Sequence, residues 1–263
     1  MLSLAAGFAP RFIAHRLSDR RLEDLTGVAA GLLLASALLV VIPEGFHVAA
    51  EGASGSEVFV ADPVVLGGAI LAGFVAMLLL EGFGVGHAVH EEHHDHVEGH
   101  GHGHVHHPTS TGVLAIGLTV HAMADGLAIG SAAVAGDTAF SVLVALAVLL
   151  HRIPAGFSLG LFALHSSPNP AAAARGVTAF ALATPITIMA SYLLLHGATD
   201  RLVAIAMLFS AGTFVYVATV DTLPAIHNPE TGRRSVMNVL AGAGLFTLVF
   251  AAIDLSGLLD HGH

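Results

Sequence analysis

The chain has 263 residues, of which 55% are apolar and only 11% charged, with a mean hydropathy of +0.80. Soluble domains usually carry about 25% charged residues, so the composition excludes an ordinary water-soluble globule, and it is too apolar for intrinsic disorder. Nine basic residues, all Arg, against nineteen acidic ones give a formal charge of −10, which argues against nucleic acid as a partner. Cysteine is absent, which removes disulfides, thiolate metal sites and Cys nucleophiles. Histidine is the anomaly: nineteen copies, as many as Asp and Glu together.

A bilayer core about 30 Å thick requires roughly 20 apolar helical residues. In chain order, residues 1–15 form a short apolar piece, MLSLAAGFAPRFIAH, read as a short or truncated span; a signal peptide is the alternative, although no A-x-A-like cleavage site follows its apolar run. Seven full spans come next: Leu25 to Pro43, continuing apolar to about Ala50; Pro63 to Leu80; Thr109 to about Ala135; Thr138 to about His165; Gly176 to Leu195; Leu202 to Val220; and Ser235 to Ile253. The expected fold is all-α, an integral membrane bundle of eight helices forming a single transmembrane domain over 1–263. Arg16, Arg20, Arg21, Arg175, Arg233 and Arg234 fall in alternate connections, while Glu51–Asp62, Gly136–Asp137 and His196–Arg201 are acidic or nearly uncharged. By the positive-inside rule the Arg-bearing loops face the cytoplasm, and with them the His-rich loop; both termini then lie outside.

Ionisable residues inside a span are costly unless they line a cavity or find partners. His121 and Asp125 lie in the middle of the Thr109–Ala135 span, four residues apart, hence on one helix face about one turn apart. An imidazole and a carboxylate so placed can share a divalent cation; a buried His–Asp hydrogen bond joining helices is the plainer reading. The next span carries His151-Arg152-Ile153-Pro154, where the proline frees a backbone carbonyl near Leu150. A three-ligand site of His121, Asp125 and His151 follows. Arg152 diverges from His151 by about 100°, leaving open whether it pairs with an acid, neutralises a second position or snorkels. Glu44 with His47, and Asp221 near Pro224, lie near span ends; they either line the metal pathway or sit at the water interface.

HAMADGLAIG (121–130) and HRIPAGFSLG (151–160) resemble the HN-x-x-DG-x-A-x-G and H-E-x-P-x-x-x-G signatures of the fourth and fifth spans of ZIP (Zrt/Irt-like) divalent-metal transporters. The segments GLLLASALLVVIPEG and SAGTFVYVATVDTLP are weaker likenesses. The HxxPA form and GTFVYVAT resemble the Golgi-type branch of that family. The resemblance implies a fourth and fifth helix that hold the metal, surrounded by two bundles of three related by inverted symmetry. It also exposes departures: Ala122 where the family often has Asn, Arg152 where it often has an acid, Ala155 where many members have Glu. Those losses imply one intramembrane metal, not a binuclear pair.

Ten histidines between His87 and His107, interleaved with Glu91, Glu92, Asp95, Glu98 and glycines, suit Zn²⁺ and similar cations. Residues 87–108 are therefore expected to be a solvated cytoplasmic loop acting as a loose metal sponge or sensor, with a low-complexity polar linker as the alternative. Gly156-Phe-Ser158-Leu-Gly160 matches G-x-S-x-G, but inside an apolar span it lacks the strand–turn–helix that motif needs. These glycines, like Gly126 and Gly130, are better explained as close helix contacts. The expectation is a secondary transporter, not an enzyme, moving Zn²⁺ (or Mn²⁺, Fe²⁺ or Cd²⁺) into the cytoplasm as substrate, with no cofactor. Its partners are the metal ions and the bilayer, and a homodimer is compatible with the sequence. A membrane-embedded zinc hydrolase and a metal sensor are the competing classes.

Overall fold

Two span starts are written into the sequence as an acid or amide followed by proline. Asp62 caps the helix Pro63–Gly82 by accepting the Val64 N–H at 2.9 Å, and Asn169 caps Pro170–Leu195 by accepting from Ala171 and Ala172 at 3.0 and 3.3 Å. The proline at the first helical position loses nothing, because its N–H would have had no intrahelical partner. The computed structural model describes residues 2–10, 19–51, 62–83, 111–135, 138–166, 169–227, 229 and 231–256. The His-rich segment 87–108 and its expected role lie outside the described residues.

The described residues form helices and no strand. In chain order these are α1 (Leu2–Phe8), α2 (Asp19–Ser36), a π-turn at Ala37–Val41 leading directly into α3 (Ile42–Glu51), α4 (Pro63–Gly82), α5 (Thr111–Ala135), α6 (Thr138–Ser166), α7 (Pro170–Leu195), α8 (Asp200–His227) and α9 (Gly232–Leu255). Seven stretches, with α2 to α3 counted as one from Glu23, are long and apolar enough to cross a membrane. The seven residues of α1 reach about 10 Å at 1.5 Å each. The π-turn has a local cause. Pro43 has no N–H to return to Leu39 and crowds that carbonyl, and one wide turn, in which Ile42 N–H reaches back to Ala37 O, absorbs the mismatch.

Several helices outrun their apolar windows. Arg20, Arg21, Arg175, Arg233 and Arg234 were expected in connections, yet they lie in the opening turns of α2, α7 and α9. Helix propagation adds one hydrogen bond per residue whether or not the side chain is apolar, so the helices continue into the polar boundary. There Arg234 Nε donates to Asp24 at 2.6 Å and Asn238 donates to the same carboxylate at 2.7 Å, tying α9 to α2.

The packing repeats itself. α5 lies along α7 as α6 lies along α1; α2 pairs with α9 as α4 pairs with α8; α5 meets α8 as α6 meets α2. These three pairs of contacts map onto one another when α1 exchanges with α7, the α2–α3 span with α8, α4 with α9 and α5 with α6. With α2 to α3 counted as one, each exchange joins elements an odd number of places apart in the order of the helices, the relation that an inverted repeat requires. This is the inverted arrangement of two threes around a central pair. Glycines carry the same signature. A Cβ at Gly73 would fall on the Phe209 carbonyl and one at Gly212 on that of Ile70; across the matching interface, Gly31 and Gly242 stand in the same relation to the carbonyls of Val239 and Val28. Backbones approach this closely only where no side chain intervenes.

A large apolar cluster gathers α2, α3, α4, α6, α8 and the second half of α5, including Leu33, Val144, Met207 and Phe214. A smaller one joins α5, α6 and α7 through Leu118, Ala122, Leu159 and Phe180. Leu71, Leu79, Leu193, Leu194 and Leu248 project outward, as lipid-facing side chains do. Where the two clusters meet, α5 and α6 place their polar residues.

Candidate metal centre

Met123 is the middle residue of the 25-residue α5 and Arg152 that of the 29-residue α6, so the polar residues around them sit at half the depth of their helices. His121, Asp125, His151 and Arg152 are all buried, with Asp125 at 0% exposure. The four-residue spacing on α5 brings His121 Nε2 to 3.6 Å from Asp125 Oδ1. α6 adds His151, whose Nε2 lies 3.6 Å from Asp125 Oδ2 and 3.2 Å from His121 Nε2. Among the described residues this trio is the group of metal-ligating side chains whose donor atoms converge.

Those separations carry chemical meaning. Zinc–nitrogen and zinc–oxygen bonds of about 2.1 Å in a tetrahedron put neighbouring donors about 3.4 Å apart. The two imidazole nitrogens, 3.2 Å apart, are close to that edge, and each faces a different oxygen of the Asp125 carboxylate at 3.6 Å. One donor atom from each residue lies within 4.8 Å of the others, a cluster that can supply three ligands to one ion with a further position for water. His151 Nδ1 lies 3.4 Å from the Ala147 carbonyl. With the proton on Nδ1 directed at that carbonyl, the lone pair is on Nε2, the atom facing the trio. One donor on α6 is thus oriented by its own helix, one turn back.

Arg152 reaches the same carboxylate from the neighbouring position: Nη1 donates to Asp125 Oδ2 at 3.4 Å, while Nη2 donates to the Phe180 carbonyl at 2.8 Å. Its Cζ lies 4.5 Å from the Phe180 ring centroid, a cation–π distance. Of the alternatives left open by the sequence, pairing with an acid is the one adopted.

The sequence reading missed the supports on α7. The Thr184 hydroxyl donates to Ala122 O at 2.6 Å, and Ser191 Oγ lies 3.3 Å from Gly126 O, each bond landing one residue after a member of the trio. Seven residues separate Thr184 from Ser191, so both lie on one face of α7, a periodicity legible in principle. Nothing in that face named α5 as its partner. Gly126 and Gly130 permit the approach, since a Cβ at either would meet Thr184 O or Ser191 Oγ.

The other expected positions fall elsewhere. His47 is exposed on α3 and lies 3.9 Å from Glu51, one turn away. Glu44 is half-buried on the same helix. Neither is brought into the trio. Asp221 lies on α8, and its side chain is outside the described residues.

The sequence profile described as "ZIP Zinc transporter" matches residues 84–249. Zinc transporter ZIP9 of Xenopus tropicalis is 32% identical over 288 aligned positions, covering 95% of this chain and 92% of that protein. Zinc transporter ZIP9 of Micropogonias undulatus is 33% identical over 259 positions, covering 84% and 80%. Zinc transporter ZIP1 of Danio rerio is 28% identical over 153 positions, covering 56% and 47%. The ZIP9 likeness agrees with the branch indicated by HRIPA and GTFVYVAT. With the likeness running nearly end to end, and the profile match enclosing both histidine-bearing helices, this multi-pass membrane chain belongs to the ZIP zinc transporter family.

Proposed function

We propose that the chain is a secondary transporter carrying Zn²⁺ as its substrate into the cytoplasm, with His121, Asp125 and His151 as the transient binding site. The observation that supports this best is the convergence of three metal-ligating side chains from two helices, buried at half depth with one donor atom of each within 4.8 Å of the others. Three protein ligands with an open fourth position suit exchange of an ion better than a closed four-ligand structural site. Interrupted helices flanking a midplane site are a recurrent basis of alternating access. Here Pro154 and Pro185 lie inside the continuous helices α6 and α7, where each removes one backbone hydrogen bond, and a π-turn precedes α3. Glu44 and His47 on α3 mark the outer approach and Asp221 on α8 the inner one, with the 87–108 segment receiving metal on the cytoplasmic side. Mn²⁺, Fe²⁺ and Cd²⁺ share the ligand preferences that would admit them. A hydrolase would need a general base, but the one acid of the cluster, Asp125, is engaged with Arg152 and both histidines.

Zinc flux into proteoliposomes tests the reading. The intact chain is expected to transport, His121→Ala to lose flux, and deletion of residues 87–108 to leave flux in place. An intact, folded chain that moves no zinc would sink the proposal; loss of flux with the loop alone would move the site to the loop.

A further inference from the structure

Arg152 and Asp125 are the buried charged side chains among the described residues, and the transport reading uses only the second. The guanidinium is gripped by α7 at two places: its Nη2 donates to the Phe180 carbonyl at 2.8 Å and its Cζ lies 4.5 Å from the Phe180 ring centroid. Its contact with the carboxylate is longer, 3.4 Å to Oδ2, the oxygen that also faces His151. Oδ1, on the His121 side, accepts no hydrogen bond among the described residues. The carboxylate is therefore divided, with one oxygen turned to a built-in cation and the other open.

We infer that Arg152 is a positioning and affinity-setting residue of the transport cycle, a fixed cation anchored to Phe180 that compensates Asp125 in the empty site and opposes the divalent ion in the filled one. The inference rests on the transport reading above. When empty, one carboxylate, one guanidinium and two neutral imidazoles sum to no net charge. The site can then pass between outward- and inward-facing states without carrying an uncompensated buried charge. When filled, the same groups carry two positive charges in a water-poor setting, and Arg152 is held in place by the carbonyl and ring of Phe180. Repulsion at such range weakens binding by an order of magnitude or more, so the ion leaves sooner than three donors alone would allow.

The test combines zinc-binding isotherms on the detergent-solubilised full chain, with Zn²⁺ as the probe, and two fluxes in proteoliposomes: net zinc uptake, and exchange into zinc-preloaded vesicles. Arg152→Gln is expected to tighten binding about tenfold or more and to lower both KM and kcat of net uptake. It should depress net uptake more than exchange, because only net uptake includes return of the empty site. Arg152→Lys, which keeps the charge, is expected to bind close to the intact chain. Unchanged or weaker binding by the glutamine variant overturns the inference, as does a lysine variant that shifts as glutamine does; should the glutamine variant not fold, the lysine variant decides. An intact chain that binds no zinc brings down the transport reading itself. An intact chain that binds, with a glutamine variant that fails to tighten, brings down this inference alone.

Discussion

Asp125→Ala is expected to abolish zinc binding and to destabilise the protein by about 3–5 kcal/mol, the usual cost of stranding one member of a buried ion pair. Asp125 is fully buried, and its carboxylate is the anionic partner of Arg152, itself 1% exposed. Without it the guanidinium retains the Phe180 carbonyl and ring, which orient the charge but do not neutralise it. His121→Ala should differ in kind. It removes a donor and leaves the Asp125–Arg152 pair whole, so zinc binding falls while most of the stability remains. The double variant Asp125→Leu with Arg152→Met should recover much of the lost stability, since apolar replacement of a whole buried pair is often neutral or stabilising, while binding stays absent. Thermal unfolding in detergent alongside zinc isotherms reads both quantities. An Asp125→Ala protein that melts with the intact chain would show that the pair contributes nothing to holding α5, α6 and α7 together.

The second large effect is expected at the α4–α8 contact. Gly73→Ala should cost about 1–3 kcal/mol or more by overpacking, because its Cβ would coincide with the Phe209 carbonyl oxygen, a backbone atom that no rotamer change can move aside. Gly212→Ala meets Ile70 O in the same way, and Gly31 and Gly242 repeat the arrangement between α2 and α9. The same helix supplies a control. Gly68 has no neighbour within 4 Å of a would-be Cβ, so Gly68→Ala should be neutral or gain up to about 1 kcal/mol from helix propensity. Zinc uptake should follow stability, lost at Gly73 and kept at Gly68. Equal melting of the two variants would mean that the interface tolerates separation and that the close approach is incidental.

What could be read without coordinates was what short range decides. Spans were legible because an apolar window of bilayer length is a local property, and their edges were not, because a helix carries on past the last apolar residue. Gly176 was the expected start of α7, whereas the Asn169 cap and Pro170 begin it six residues earlier. The π-turn at Ala37–Val41 has no signature beyond the proline that follows it. The glycine-lined interfaces have the same status: Gly126 and Gly130 could be named as close-contact residues from their spacing, but their partners on α7 could not.

At the site the division falls within four residues. That His121 and Asp125 share a face was settled by the sequence alone, since four residues on a helix is little more than one turn. That His151 completes the set at 3.2 and 3.6 Å depended on how α6 leans on α5, a matter of packing between elements. The direction of Arg152 was decided last and only by tertiary structure. A long side chain about 100° around the helix from His151 can still converge on one carboxylate, because that carboxylate has two oxygens and because Phe180, on a third helix, supplies the carbonyl and ring that draw the guanidinium in. Composition and spacing thus determined a membrane bundle with a histidine–aspartate step at mid-depth. The charge balance around that step came from the meeting of three helices, where burial makes each unpaired charge too costly to leave without a partner.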